Sequence, residues 1–275
     1  MSAQQDHDFH LVDPSPWPLL ASMGFLVMAG GTAFAFHNTP YAEYAMIGGL
    51  LSLLYVGYRW WKDCIREGAE DKAHTSIVQK GLRYGMLLFI VSEVMFFFAF
   101  FFSYFHSMFL PMEMPWGEAW SAKEGVFPPE TIEAIDPWDL PLFNTLLLLM
   151  SGTTVTWAHA ALLQGNQRDL VRGLLLTIIL GITFTVVQAI EYHHIINHMY
   201  KFSENNFSSN FFMATGFHGL HVIIGTIFLI ICLIRAFKGQ FSEKHHLGFE
   251  FAAWYWHFVD IVWLFLFASV YLGGR

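Results

Sequence analysis

The sequence predicts an all-α integral membrane protein of seven transmembrane helices, a two-helix arm beside a five-helix bundle. Three observations carry that expectation. The chain of 275 residues is 55% hydrophobic and only 13% charged, against about 25% charged residues in an ordinary soluble domain. Its apolar residues collect into seven stretches, each near or above the roughly 20 residues a helix needs to cross a bilayer with every backbone polar group satisfied internally. Finally, Lys and Arg concentrate in alternate loops, as the positive-inside rule requires.

The elements follow in order. Residues 1–16 form an inner-side amino-terminal segment. No Lys or Arg precedes Arg59, so neither the basic start of a secretory signal nor a transit peptide is expected, and the first apolar stretch should remain in the mature protein. Stretches at 17–36 and 41–61 are joined by a short connection near His37 to Tyr41 and make an antiparallel hairpin, the arm. A polar inner loop over 62–81 separates it from the bundle, residues 82–275. The bundle spans are expected at 82–109, 141–164, 171–192, 210–234 and 249–272, with an acidic outer loop over 111–140. Seven acids lie between Glu113 and Asp139 with Lys123 as their only base, so the formal charge of −8 describes one loop. It does not describe a nucleic-acid-binding face.

All of the 14 Lys and Arg residues except Lys123, Lys201 and Arg275 fall on one side of a seven-span chain. That side is the inner one, which places the amino terminus inside and the carboxyl terminus outside. There is no internal repeat and no matched pair of broken helices of the kind many transporters carry. Gly30, Gly31, Gly48, Gly49, Gly216 and Gly219 offer close helix approach wherever they lie on packed faces. Cys64 and Cys232 are distant in sequence and lack ligand spacing, which argues against a disulfide framework and a thiolate metal site.

Polar residues inside the spans are the candidate functional groups. Glu93 lies mid-span among aromatic and aliphatic neighbours. An ionised carboxylate is costly there, so the side chain is expected neutral or facing a partner, and both a special role and a structural hydrogen bond remain open. Asp260 is the second buried acid. Helical spacing stacks Trp254, His257 and Asp260 on one face, and His218 and His221 are likewise three apart on the preceding span. These four His and Asp side chains are read as a structural polar network, with a metal site as the rival reading. His159, Glu191, His193 and His194, toward helix ends, should reach water or a neighbouring helix. On the inner side, Trp61, Arg66, Glu67, His74, Arg83 and Arg235 form a set suited to phospholipid heads, since basic residues attract anionic lipid and Trp belongs at headgroup level. Snorkelling of an ordinary positive inner rim is the alternative.

Several runs are specific enough to name a family. HLVDPSPWP at His10 to Pro18, KGLRYGMLLFIVSEVMFF at Lys80 to Phe97 and DPWDLPLFNTLLLLMSG at Asp136 to Gly152 are three of them. TWAH at Thr156 to His159, ATGFHGLHVIIGTIFL at Ala214 to Leu229 and HHLGFEFAAWYWHFVDIVWLFLF at His245 to Phe267 complete the set. Over almost its whole length the chain resembles subunit III of the aa3-type cytochrome c oxidase. The resemblance implies a non-catalytic, multi-pass subunit of a bacterial cytoplasmic or mitochondrial inner membrane. Haem a and copper would sit in partner subunits I and II, and cytochrome c would be the substrate of the complex. It implies a lipid-filled cleft between arm and bundle, packing on subunit I, and support of proton uptake and turnover stability. Glu93 matches the family's carbodiimide-reactive glutamate, and Trp61, Glu67, His74, Arg83 and Arg235 match positions near its phospholipid heads. The metal reading of His218, His221, His257 and Asp260 recedes accordingly. Departures occur at Phe127-Pro128-Pro129, at Ala158-His159-Ala160, at Ser103-Tyr104 and over residues 191–209.

A proton-linked transporter using Glu93 and Asp260 is the rival from a different class. It would need a continuous polar path, whereas Glu93 is embedded in aromatics. The related subunit of a quinol oxidase is a further alternative, against which the complete amino-terminal hairpin and the WYWHFVD run argue.

Overall fold

The computed structural model describes residues 9–71, 73–109, 135–202 and 206–274, and among these it is built of seven α-helices. They are α1 (Trp17–Phe36), α2 (Ala42–Ala69), α3 (Ser76–Phe109), α4 (Leu140–Leu163), α5 (Gln167–His198), α6 (Asn206–Phe237) and α7 (Leu247–Leu266), the last continuing through a wider π-type turn, Phe267–Leu272. Six of the seven, all but α2, are long and apolar enough to cross a bilayer. Seven spans are expected from the sequence, so α2 is the difference. Its 28 residues suffice in length, but Glu43, Tyr44, Tyr55, Tyr58, Arg59 and the Gly48-Gly49 pair dilute its apolar character.

The chain divides into two compact units, Met1–Arg83 and Tyr84–Arg275, the boundary falling inside α3. In the first unit α1 starts on a proline turn, with Leu20 N donating to Pro16 O at 3.0 Å. It stops in a tight connection where Asn38 (φ 54°) and Tyr41 (φ 67°) adopt the left-handed conformation. The chain then reverses and α2 runs back along α1. Two glycines set how closely they meet. A Cβ on Gly31 would lie 2.9 Å from the Ala45 carbonyl carbon, and one on Gly49 would lie 2.7 Å from Met28 Cα. Backbones in such contact gain dispersion energy that a larger side chain at either glycine would block. At the far end Trp17 Nε1 donates to Asp63 Oδ2 at 2.7 Å, tying the start of α1 to the last turns of α2.

α2 passes the expected span end at residue 61 and reaches Ala69, while α3 begins at Ser76. The connection expected over 62–81 therefore narrows to residues 70–75. Helices need not stop where lipid does, and hydropathy marks only the lipid boundary.

In the second unit α4, α5, α6 and α7 close into a ring in which α4 also meets α7. Its core holds Trp256 and Trp263, both buried on α7. Trp256 Nε1 donates to Ser151 Oγ at 2.8 Å and Trp263 Nε1 to Thr145 Oγ1 at 2.9 Å, so each indole satisfies its polar edge on α4. Between α4 and α5, Gly165 (φ 70°) ends one helix. Asn166 caps the next by accepting from Asp169 N at 3.3 Å. The tight turn is thus written in two residues. From Tyr84 onward α3 meets the ring through large side chains, with Phe96 against Phe217 and Phe101 against Phe265. Tyr104 OH donates to Ser269 O at 3.1 Å.

Candidate functional site

The intramembrane polar residues separate into distinct groups. Glu93, on α3, accepts or shares a proton with His221 on α6 across 2.8 Å, Oε2 to Nε2. His221 Nδ1 meets Phe217 O at 2.6 Å and must donate there, because a carbonyl only accepts. One proton therefore lies between the two side chains. Either the acid donates to a neutral ring or an imidazolium donates to a carboxylate. Aromatic rings enclose the pair, Phe97 at 4.9 Å and Tyr255 at 6.3 Å from the His221 ring. Glu93 retains 23% side-chain exposure.

His218, one turn away on α6, is fully buried. Its Nε2 donates to Val259 O at 3.1 Å, and the ring packs between Phe184 and Trp263. His257 points the other way: Thr156 Oγ1 donates to Gly152 O, leaving its oxygen to accept from His257 Nε2 at 3.1 Å. His257 Nδ1 and Asp260 Oδ2 are 3.9 Å apart, beyond hydrogen-bond range. Asp260 is buried with Oδ2 against Gly152, where a Cβ would overlap it. His218, His221, His257 and Asp260 thus do not meet at one point. Among the described residues no group of three or more His, Cys, Asp or Glu side chains is placed to hold a metal.

Glu191 is buried on α5, and Tyr271 OH donates to its Oε1 at 2.9 Å. His159 packs edge-on against His246 and Phe249. Cys64 is exposed and Cys232 buried, both as free thiols.

Of the inner-side residues, Trp61, Arg66, Glu67, His74 and Arg83 belong to the first unit and Arg235 to the second. Trp61 is 69% exposed. Arg66 and Glu70 approach to 3.8 Å with both side chains largely in the open, a pair of little energetic weight that leaves the guanidinium available. Glu67 lies 3.6 Å from His10 Nε2. His74 folds back onto Gly68, where a Cβ would come within 2.7 Å of its Nδ1. Burial pushes the His74 imidazole below its ordinary value; the Glu67 carboxylate works against that shift and His10 with it. Arg235 stacks its guanidinium 4.6 Å from the Phe241 ring, and its Nε donates to Gln240 Oε1 at 3.2 Å. Sequence reading missed His10 and Arg59. Arg59 sits 5.4 Å from the Trp17 ring and 5.9 Å from that of Tyr55; i, i+4 spacing signals only its Tyr55 contact.

The acidic loop from Glu113 lies outside the described residues as far as residue 134, as do Lys123 and Phe127-Pro128-Pro129.

Comparison with known proteins places these groups in a family. The family model described as cytochrome c oxidase subunit III matches residues 7–275. A probable cytochrome c oxidase subunit 3 of Rickettsia bellii is 54% identical over 272 residues, covering 98% of this chain and 97% of the relative. The cytochrome c oxidase subunit 3 of Triticum aestivum is 49% identical over 274 residues, covering 100% and 99%. That of Dugong dugon is 48% identical over 270 residues, covering 98% of each. With the match running nearly end to end, the chain belongs to the cytochrome c oxidase subunit III family, a non-catalytic subunit of an oxidoreductase complex.

Proposed function

We propose that this chain is a core subunit that binds structural phospholipids, packs on subunit I with subunit II in the same assembly, and supports proton uptake and turnover stability. The complex would carry electrons from cytochrome c to oxygen and pump protons, with haem a and copper held by the partners. The observation that carries this reading is the near-complete match of residues 7–275 to the family. Lipid binding is supported by the chemistry of the inner rim. Trp61 and Arg66 are open to the surroundings, and Arg235 has only neutral partners in Gln240 and Phe241 among its described contacts. Each such base attracts anionic lipid by about 1 kcal/mol.

The topology follows from the hairpin. α1 is apolar enough to cross, and α2 runs back beside it from the Gly31 contact to the Trp17–Asp63 bond, so α2 makes the return crossing. At 1.5 Å per residue its 28 residues reach about 42 Å. Seven crossings with the bases inside put the amino terminus in the cytoplasm or matrix. Relatives from a bacterium, a plant and a mammal fit a bacterial cytoplasmic membrane or a mitochondrial inner membrane.

The test is purification in mild detergent through a tag on this chain, with a reduced-minus-oxidised visible spectrum and phospholipid mass spectrometry on the same eluate. Haem a bands and the two metal-bearing subunits are expected. Arg66→Gln together with Arg235→Gln should weaken retained anionic lipid about fivefold per lost charge. An eluate without haem a would overturn the subunit reading, and unchanged lipid in the variant would overturn the lipid-binding reading.

A further inference from the structure

Where α4 begins and α5 ends, the packed interior contains more polar atoms than the described residues satisfy. Asn144 is 0% and Glu191 3% exposed, and Gln188, Tyr200 and Tyr271 are buried with them. Some of their hydrogen bonds are clear. Asn144 Nδ2 donates to Gln188 Oε1 at 3.2 Å, and Tyr271 OH donates to Glu191 Oε1 at 2.9 Å. Gln188 and Glu191 share a face of α5, one turn apart. Tyr200 joins through aromatic contacts, its ring 5.9 Å from Phe211, which is in turn 5.7 Å from Tyr271.

Four buried atoms of this cluster have no partner of ordinary geometry among the described residues: Asn144 Oδ1, Gln188 Nε2, Glu191 Oε2 and Tyr200 OH. An unmet buried polar atom loses its hydration without recovering it, so four together call for a partner that the described residues do not supply. We propose that Asn144, Gln188, Glu191, Tyr200 and Tyr271 form an internal water site that joins α4, α5 and the π-type turn following α7.

The mixture of donors and acceptors selects the ligand. A cation would face the Gln188 amide hydrogens, an anion would face the Glu191 carboxyl, and an apolar group would leave all four atoms unmet. Water donates and accepts, and buried waters typically make about three such bonds. Exchanging O and N in both amides changes nothing, because one donor and one acceptor are again left over. A cavity of about 10 Å³ touches the cluster at Tyr271 alone; its other lining residues are Ile135, Phe207, Phe211, Val270 and Gly274. That is about the least volume that holds one water. Bound water supplies the second carboxyl oxygen of Glu191 with a donor and makes the cluster a closed polar joint.

A high-resolution cryo-electron-microscopy map of the intact oxidase complex containing this chain decides the matter. The expected result is solvent density about 2.7–3.2 Å from at least two of the four atoms. Direct pairing of the four atoms with no density between them would overturn the proposal. So would a peak ringed by oxygens at about 2.4 Å, the signature of a cation. Glu191→Gln, which keeps shape and an oxygen, retains the density. Glu191→Leu expels it and unfolds at lower temperature than the Gln variant; equal stability of the two counts against the site. If the Leu variant does not assemble, the wild-type and Gln maps carry the decision.

Discussion

Glu93 and His221, 128 residues apart in sequence, meet at 2.8 Å and share one proton because the other nitrogen of the ring already donates to Phe217 O. The pair joins α3 to α6, and it gives the mid-span carboxyl a partner within the protein. A neutral acid reacts with hydrophobic carbodiimides and a carboxylate does not. Glu93→Gln should abolish labelling at this site while oxygen reduction stays within about twofold of wild type, a change worth under 0.5 kcal/mol of barrier. His221→Leu removes the ring that can take the proton and should label at least as fast as wild type. Loss of labelling in His221→Leu would show that the ring does not hold the proton away from Glu93.

The glycines of the hairpin should behave unequally. A Cβ at Gly31 or Gly49 strikes the facing backbone, whereas one at Gly30 or Gly48 meets nothing within 4 Å. Gly31→Ala and Gly49→Ala should each destabilise by about 1–3 kcal/mol. Gly30→Ala and Gly48→Ala should stabilise by up to about 1 kcal/mol through helix propensity. Thermal unfolding midpoints of the four variants in one detergent separate the two classes.

Trp256 and Ser151 should be energetically coupled. Their 2.8 Å bond lies in a fully buried seam between α7 and α4. A cycle of Trp256→Phe, Ser151→Ala and the double variant should return about 0.6 kcal/mol and no more than about 1.7 kcal/mol, the mean and maximum for interhelical hydrogen bonds measured this way in a membrane protein. A coupling of zero would mean that the indole finds another acceptor.

The connection between α2 and α3 should loosen in acid. His74 has a folded value pushed below its ordinary one of about 6.5 by burial. The unfolded segment then binds more protons than the folded one as pH falls below 6.5. The contribution of neutral His74 is therefore complete above pH 6.5 and lost as pH falls through the folded value. Limited proteolysis at residues 70–75 should accelerate between pH 7 and pH 5 in wild type, and the change should flatten in His74→Gln. Acceleration on raising the pH would contradict the sign.

Helix positions were legible because lipid imposes a length and an apolar content on every span. Helix ends were not, since Lys62–Ala69 of α2 and Ser76–Lys80 of α3 mix charged and polar side chains into the apolar pattern while the helices continue through them. The His257–Asp260 proximity follows from i, i+3 spacing on one helix. The Glu93–His221 pair does not, because periodicity places a residue on a face without saying which helix covers it. Six glycines read alike in the sequence, yet only Gly31 and Gly49 among them press on a neighbouring backbone. Glu191 sits near the end of its apolar run and was expected to reach water or a neighbouring helix; the long α5 carries it into the packed interior against Tyr271.

Oxygen consumption by the purified oxidase, followed through many turnovers with and without this chain, tests most directly whether the chain supports the chemistry without performing it. The expected trace without it begins within about twofold of the intact rate, since no barrier of more than about 0.5 kcal/mol is assigned to this subunit, and then declines faster. A preparation that retains its haem and copper spectrum but shows no initial oxygen consumption would contradict the non-catalytic role.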